Sequence, residues 1–361
     1  MTGPDQKNGI FAAGRWFKTS RLTFSLVVLA IVVVQNVLTT PAFFSMEIRN
    51  GIWSGYVPII LDQASELVMV AIAMTLITAV AGGQDISVGS IMAISASFMG
   101  ALLNGNEYRS DVYQNPYILA LIIGLFGGMA CGAFNGFMVS VLRIQPLIAS
   151  LILFIAGRSL AKMITFGNTI YIMNPTYKYL GVQIPGIPVR TPLLITIIVV
   201  VIVFLLIKKT SLGLYIESIG INSSASRLVG LNSSAIKFLT YLLGGLLCSV
   251  AGMVGASRVA TVNSGELGLG IELNAILAVA IGGTLLNGGK FSIAGTIIGA
   301  YTIQAITTTL YAMNVTSETI NVYKAVIIII IVVVSSNVFR ARVKALFQNR
   351  KIAVPAGGAR S

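Results

Sequence analysis

Apolar residues run along this chain in long unbroken stretches, without the alternation that marks a half-buried strand. The stretches lie at roughly 22–38, 64–82, 87–104, 116–142, 147–166, 192–207, 237–256, 272–287, 292–311 and 321–339. A helix needs about 20 apolar residues to cross a bilayer core. Backbone groups in lipid must also satisfy one another, which a helix does within itself. The pattern therefore predicts an all-α fold, a polytopic membrane bundle of about ten transmembrane helices. Residues 1–21 and 340–361 are predicted as tails, with the membrane domain at 22–339 between them. The first stretch follows Arg15, Lys18 and Arg21. A cleaved signal peptide is the competing reading, but no small-x-small cleavage site follows, so it is read as the first span.

Polar interruptions carry further information. Residues 208–236, KKTSLGLYIESIGINSSASRLVGLNSSAI, are too polar to span. Asn222 is placed to cap a short helix running through Arg227, with Gly230 ending it. Ala225, Leu228 and Val229 recur at the spacing of one helical face. The alternative is a solvated connector between two spans.

The chain also repeats itself without gaps. A shift of 206 residues carries Glu66 and Leu67 onto Glu272 and Leu273, Thr78 onto Thr284, Gly82 and Gly83 onto Gly288 and Gly289, Gly89 onto Gly295, and Ile91 onto Ile297. Both copies read as acid, apolar helix, double glycine, then a new apolar helix. Six spans separate the copies, so the expected repeat is parallel, each helix pair turning at its double glycine; chance matching of membrane glycines is the alternative. Glycine permits a sharp reversal and close helix contact because no Cβ intervenes. The stretch 272–287 is short, about 24 Å as a helix. Short, glycine-interrupted spans at matching positions lie near the pathway in other transporter folds.

Composition agrees with a membrane class: 56% of the 361 residues are hydrophobic and 10% charged, against about 25% charged in soluble domains. The net charge is +13. The basic residues flank apolar runs and form no stripe with interleaved aromatics, so they read as orientation signals and not as a nucleic-acid surface. With both termini placed in the cytoplasm, 16 Lys and Arg fall in cytoplasmic segments and five, Arg49, Arg109, Lys178, Arg190 and Arg258, in outer loops. The chain has no histidine, which removes the commonest general base and metal ligand. Cys131 and Cys248 sit in apolar runs without CxxC spacing and read as small hydrophobes. No metal or cofactor is expected.

A phosphate loop is absent too. Gly288-Gly289-Lys290-Phe291 has phenylalanine where a P-loop needs Ser or Thr, and it leads into a membrane helix. Arg158 and Lys162, one turn apart within a span, are read as snorkelling or pairing with an acid from another span, with a substrate contact as the alternative. Lys324 takes the same reading. Asn135 and Gln304 face a cavity or bond between helices. Asp85 is expected to cap the helix after it, with proton coupling as the alternative. With Gln84, Ser87 and Asn274, these three make the candidate pathway set: Gln84, Asp85, Ser87, Asn135, Asn274 and Gln304.

The stretch GGQDISVGSIMAI (82–94) resembles the permeases of the ribose and galactose class of bacterial ABC importers, whose pattern there is close to GGIDLSVG. Gln84 stands for the usual isoleucine and Ile86 for the usual leucine. RIQPLIASLILFIAGRSLAKMIT (143–165), TSLGLYIESIGINSSASRLVGLN (210–232) and ELNAILAVAIGGTLLNGGKFSIAGTIIGA (272–300) resemble further segments of that class, in order. Residues 143–146, 156–158 and 216–222 are most similar to its galactofuranose subgroup. The resemblance implies a bacterial inner-membrane subunit that imports a monosaccharide. It further implies separate ABC ATPase subunits, a periplasmic or lipid-anchored sugar-binding protein, and a second permease subunit, identical or related. Residues 222–230 would be the coupling helix.

A secondary transporter or channel is the alternative from another class. It needs a coupling-ion site or filter, and the chain shows no run of intramembrane carboxylates. An intramembrane enzyme would need a catalytic set that is not visible. The orientation has a direct check. A cysteine placed at Ser361, in a background lacking Cys131 and Cys248, is expected to stay unlabelled by an impermeant thiol reagent added to intact cells. Labelling there reverses the topology.

Overall fold

The computed structural model describes residues 21–39, 43–49, 52–105 and 107–335. Apart from Arg21, the predicted tails lie outside these residues. The described residues up to Thr308 form one compact unit and those from Thr309 a second.

A helix stands at each predicted apolar stretch. In chain order these are α1 (Arg21–Thr39), α2 (Tyr56–Ala81), α3 (Val88–Asn104), α4 (Tyr117–Ser140), α5 (Pro146–Ile164), α7 (Thr191–Lys209), α10 (Ser233–Val259), α11 (Ile271–Ile281), α12 (Ile293–Ala312) and α13 (Ser317–Ser335). The remaining helices lie between these: α6 (Lys178–Gly181), α8 (Leu212–Ile221) and α9 (Ser223–Leu228). Six of them, α2, α4, α5, α7, α10 and α12, are long and apolar enough to cross a membrane, and α1, α3, α8 and α11 carry shorter apolar runs. The chain is a polytopic helical membrane protein.

Local chemistry sets the helix ends. Pro146 and Pro192 open α5 and α7, where a missing amide costs nothing. Gly82 closes α2 in the left-handed region (φ 69°), its amide donating to the Thr78 carbonyl at 3.0 Å. One expectation is corrected in the second half. The helix read over 272–287 ends at Ile281, and its turn begins at Gly282-Gly283, six residues before Gly288-Gly289. Residues 282–292 form a non-helical connection with turns at 282–283 and 286–287 and positive φ at Gly283, Gly288 and Gly289.

α2 is the most enclosed element. Val68, Met69, Val70, Ala71, Ile72, Ala73 and Met74 are all fully buried, so neighbours surround every face. α4 and α10 meet through small residues. A Cβ on Gly132 would overlap the Tyr241 carbonyl oxygen and stand 2.9 Å from Gly245 Cα, so the two backbones touch. At one end of the bundle a small sheet joins distant segments. β3 (Arg109–Ser110) pairs in parallel with β4 (Ile170–Ile172), which pairs antiparallel with β5 (Thr261–Val262). A second antiparallel hairpin, β1 (Glu47–Arg49) with β2 (Ile52–Ser54), precedes α2. The opposite end carries α8 and α9, and the two ends are called the sheet side and the loop side below.

Replacing Gly132 by leucine is expected to cost about 3 kcal/mol or to abolish folding, because the overlap is with backbone. Phe126, 63% exposed on the same helix, should tolerate leucine within about 0.5 kcal/mol. Denaturation of the two purified variants in detergent gives the comparison.

Candidate functional site

On the loop side, residues 208–236 fold into α8 and α9. α9 forms because Asn222 caps it: its Oδ1 accepts from the Ser224 and Ala225 amides at 3.1 and 3.0 Å. Gly230, at φ 86°, ends the turn, donating to the Arg227 carbonyl at 3.0 Å. Ser226 is the buried residue of this short helix. Ala225, Arg227, Leu228 and Val229 all face outward. Leu228 is 90% exposed and Val229 77% exposed. Isolated apolar side chains on a surface are ordinary, but two adjacent ones this bare, on a capped helix, form a presented face. α8 was not foreseen; it buries Gly213, Ile216 and Ile219 inward.

A buried polar cluster lies between the α2–α3 turn, α4 and α5. Asp85 Oδ1 accepts from the Ser87 amide at 2.8 Å and the Ser87 hydroxyl at 2.6 Å. Asn135 Nδ2 donates to Ser87 Oγ at 2.8 Å and Asp85 Oδ2 at 3.3 Å. The Ile86 amide donates to Ser150 Oγ at 3.2 Å. Asp85, Ser87, Asn135 and Ser150 are almost wholly buried, so these bonds replace the water that each group gave up. Asp85 thus holds the turn just ahead of α3, whereas the N-cap position expected of it is occupied by Ser87, with no side-chain capping bond. Three of the six candidate pathway residues meet here, with Gln84 half-buried in the same turn. The other two stand elsewhere. Asn274 is half-buried on α11, and Gln304 on α12 donates to Gln63 Oε1 at 3.0 Å.

Between α10 and α11 the helical backbone is interrupted. After β5 the chain passes through turns at 263–270 before α11 begins. Arg158 satisfies carbonyls left open by this interruption: its Nη1 donates to Leu267 O at 2.8 Å and Gly265 O at 3.3 Å. Thr165 Oγ1 and Ser264 Oγ share a bond at 3.2 Å. Glu272, in the first turn of α11, accepts from the Gly270 amide at 3.2 Å, where the helix dipole favours an anion. Its carboxylate also packs against Gly89. The intramembrane arginine therefore serves a neighbouring backbone.

A third polar group was not foreseen. Arg258 Nε lies 3.2 Å from Glu66 Oε1, and both Arg258 and Arg190 approach Asp62 Oδ2, at 3.6 and 3.5 Å. Arg258 Nη2 also donates to the Asp62 carbonyl at 3.0 Å. The available signal was Asp62 and Glu66 one turn apart in a predominantly apolar helix, a placement that favours cation partners.

A family model described as branched-chain amino acid transport system / permease component matches residues 57–335. The chain is 35% identical over 320 residues to the galactofuranose transporter permease protein YtfT of Escherichia coli, covering 88% of this chain and 91% of that one. It is 36% identical over 326 residues to the fructose import permease protein FruF of Bifidobacterium longum, covering 88% of each. It is 33% identical over 329 residues to the ribose import permease protein RbsC of Escherichia coli, covering 89% of this chain and 96% of that one. No solved structure matches the chain.

Replacing Asn135 by leucine removes the donor that serves both Asp85 and Ser87. The variant is expected to lose about 1–3 kcal/mol of stability, the cost of buried acceptors left unpaired. A lower thermal midpoint of the purified protein is the readout, and an unchanged midpoint removes the cluster's structural role.

Proposed function

The chain belongs to the branched-chain amino acid transport system / permease component family, and on that premise we infer that it is the membrane-spanning subunit of an ATP-driven monosaccharide importer. It is a transport component and not an enzyme. Its relatives are named for galactofuranose, fructose and ribose, which supports a pentose or hexose as the cargo, galactofuranose among them. It is a multi-pass protein of the inner membrane.

The finer architecture is our reading. The ten apolar stretches are ten spans, and both termini are cytoplasmic, which puts the loop side in the cytoplasm; the 16-to-five charge asymmetry supports this orientation. The two helix pairs are a parallel repeat. Its support is that the turn after α2 and the connection after α11 meet, Gly82 against Asn287 and Gly288, so α2 and α11 finish on the same side.

Two ATPase subunits dock on the loop side, a periplasmic or lipid-anchored binding protein delivers sugar to the sheet side, and a second permease copy or related chain completes the channel. The observation that carries this reading is α9: a capped helix whose apolar residues, Leu228 and Val229, face water. Such a face fits a groove, with Arg227 at its rim fixing register. Closure of the ATPase pair pushes α9, and the push passes to the spans. The Asp85–Ser87–Asn135 cluster and the interrupted backbone at 263–270 stand where helices end inside the bundle, the positions at which transporters of other folds handle solute.

Leu228→Glu tests the docking face. Loss of one well-packed apolar anchor costs about 2 kcal/mol, a roughly 30-fold weaker contact. The variant should fold and insert normally, yet sugar-loaded binding protein should no longer stimulate ATP hydrolysis. Transport at the parental rate would exclude α9 as the coupling element.

A further inference from the structure

The push received by α9 must reach the spans, and one contact on the loop side is built without side chains. Gly220 is the next-to-last residue of α8 and lies two before the Asn222 cap. A methyl group on it would overlap the Ala79 carbonyl oxygen and stand 2.5 Å from Gly289 N. Ala79 is in the last turn of α2, where carbonyls have no partner within the helix. That carbonyl is capped in trans: the Gly289 amide donates to it at 2.8 Å. A Cβ on Gly288 would stand 2.9 Å from Gly82 Cα and 3.2 Å from the Gly220 carbonyl oxygen, and one on Gly82 3.1 Å from the Asn287 oxygen. On Gly289 it would meet Ile221 Cγ1 at 2.9 Å.

Three chain segments thus touch backbone to backbone: the end of α2, the end of α8, and the 287–289 part of the connection between α11 and α12. Side chains that separate two helices can absorb a small displacement by changing rotamer, whereas contacting backbones have no such slack. By contrast, α9 meets the start of α10 through a side-chain bond, Ser233 Oγ to Ser223 O at 3.3 Å.

We propose that Gly220 is a positioning residue for energy coupling: it seats α8 against both glycine turns, so that displacement of α9 moves the ends of both helix pairs together. The proposal rests on the transport reading above and deepens it. The coupling face receives the motion, and the glycine junction divides it between the two halves of the repeat. Gly220→Ala wedges α8 away from the turns while leaving the exposed face of α9 intact.

The test uses the complete importer in proteoliposomes, with its ATPase, its binding protein and the sugar that protein binds. Gly220→Ala is expected to lower the yield of complex, because the overlap is with backbone; in the complex that assembles, ATP hydrolysis stays near the parental rate while sugar moved per ATP falls about tenfold, within the usual range of coupling energies. A packing role alone would lower the yield of complex and leave that ratio unchanged. A ratio equal to the parental one, in assembled complex, overturns the proposal. A second arm does not depend on the alanine variant folding. Ile221→Cys and Lys290→Cys, in a background lacking Cys131 and Cys248, are bridged with a short bis-methanethiosulfonate reagent, which displaces sulfinate to form a disulfide with each thiol that a reductant can cleave. A junction that moves as one body keeps transporting when bridged. Arrest that is reversed by reduction shows that the junction must open, and overturns the proposal. A parental complex that shows no sugar-dependent ATP hydrolysis at all would instead remove the transport reading.

Discussion

Backbone hydrogen bonding without water governs this molecule. A chain that lies in lipid has only itself to bond to, and a continuous helix meets that demand along its length but not at its ends. The informative places are therefore where helices stop inside the bundle. At the end of α2 the Thr78 carbonyl is met by Gly82 and the Ala79 carbonyl by Gly289, which is far away in sequence. Between α10 and α11 the carbonyls of Gly265 and Leu267 are met by Arg158 from α5. Ahead of α3, Asp85 and Asn135 hold the Ser87 amide and hydroxyl. Each stop is secured by a different device, and each device ties together segments that the chain order keeps apart.

These ties also separate the labours of the subunit. The loop side presents an apolar face on a short capped helix. The interior holds buried polar groups that bond to one another and to backbone where helices end. The sheet side binds Asp62 and Glu66 to two arginines that remain partly exposed. The exposed loop-side face, the interior polar groups and the sheet-side ion pairs are thus built from different residues.

Much of this was legible from local pattern alone. Apolar run length located the helices, and Asn222 with Gly230 bounded α9 nearly to the residue, because capping is a contact within a few positions. What escaped was non-local or masked. The Arg258–Asp62 pair joins positions 196 residues apart, and no local rule reports which arginine finds which acid. α8 was hidden because its buried face is made of Gly213, Ile216 and Ile219, too few apolar residues to stand out beside true spans. The early end of α11 at Ile281 was missed because Gly282 and Gly283 sit inside an apolar run. The gapless offset from the first half also drew attention to the later pair. The contact of α4 with α10 was equally silent, since glycines that admit a neighbouring backbone look like any other small residues in a hydrophobic stretch.

The bareness of Leu228 and Val229 has a consequence for how such a subunit is made. A face that is meant to be covered is a hazard while uncovered, because it is open to self-association and to the proteases and chaperones that survey exposed apolar surface. Copies synthesised in excess of whatever covers α9 carry that hazard for as long as they stay single. On the docking reading proposed above, the same two side chains would tie the useful supply of this polypeptide to that of the partner that covers α9.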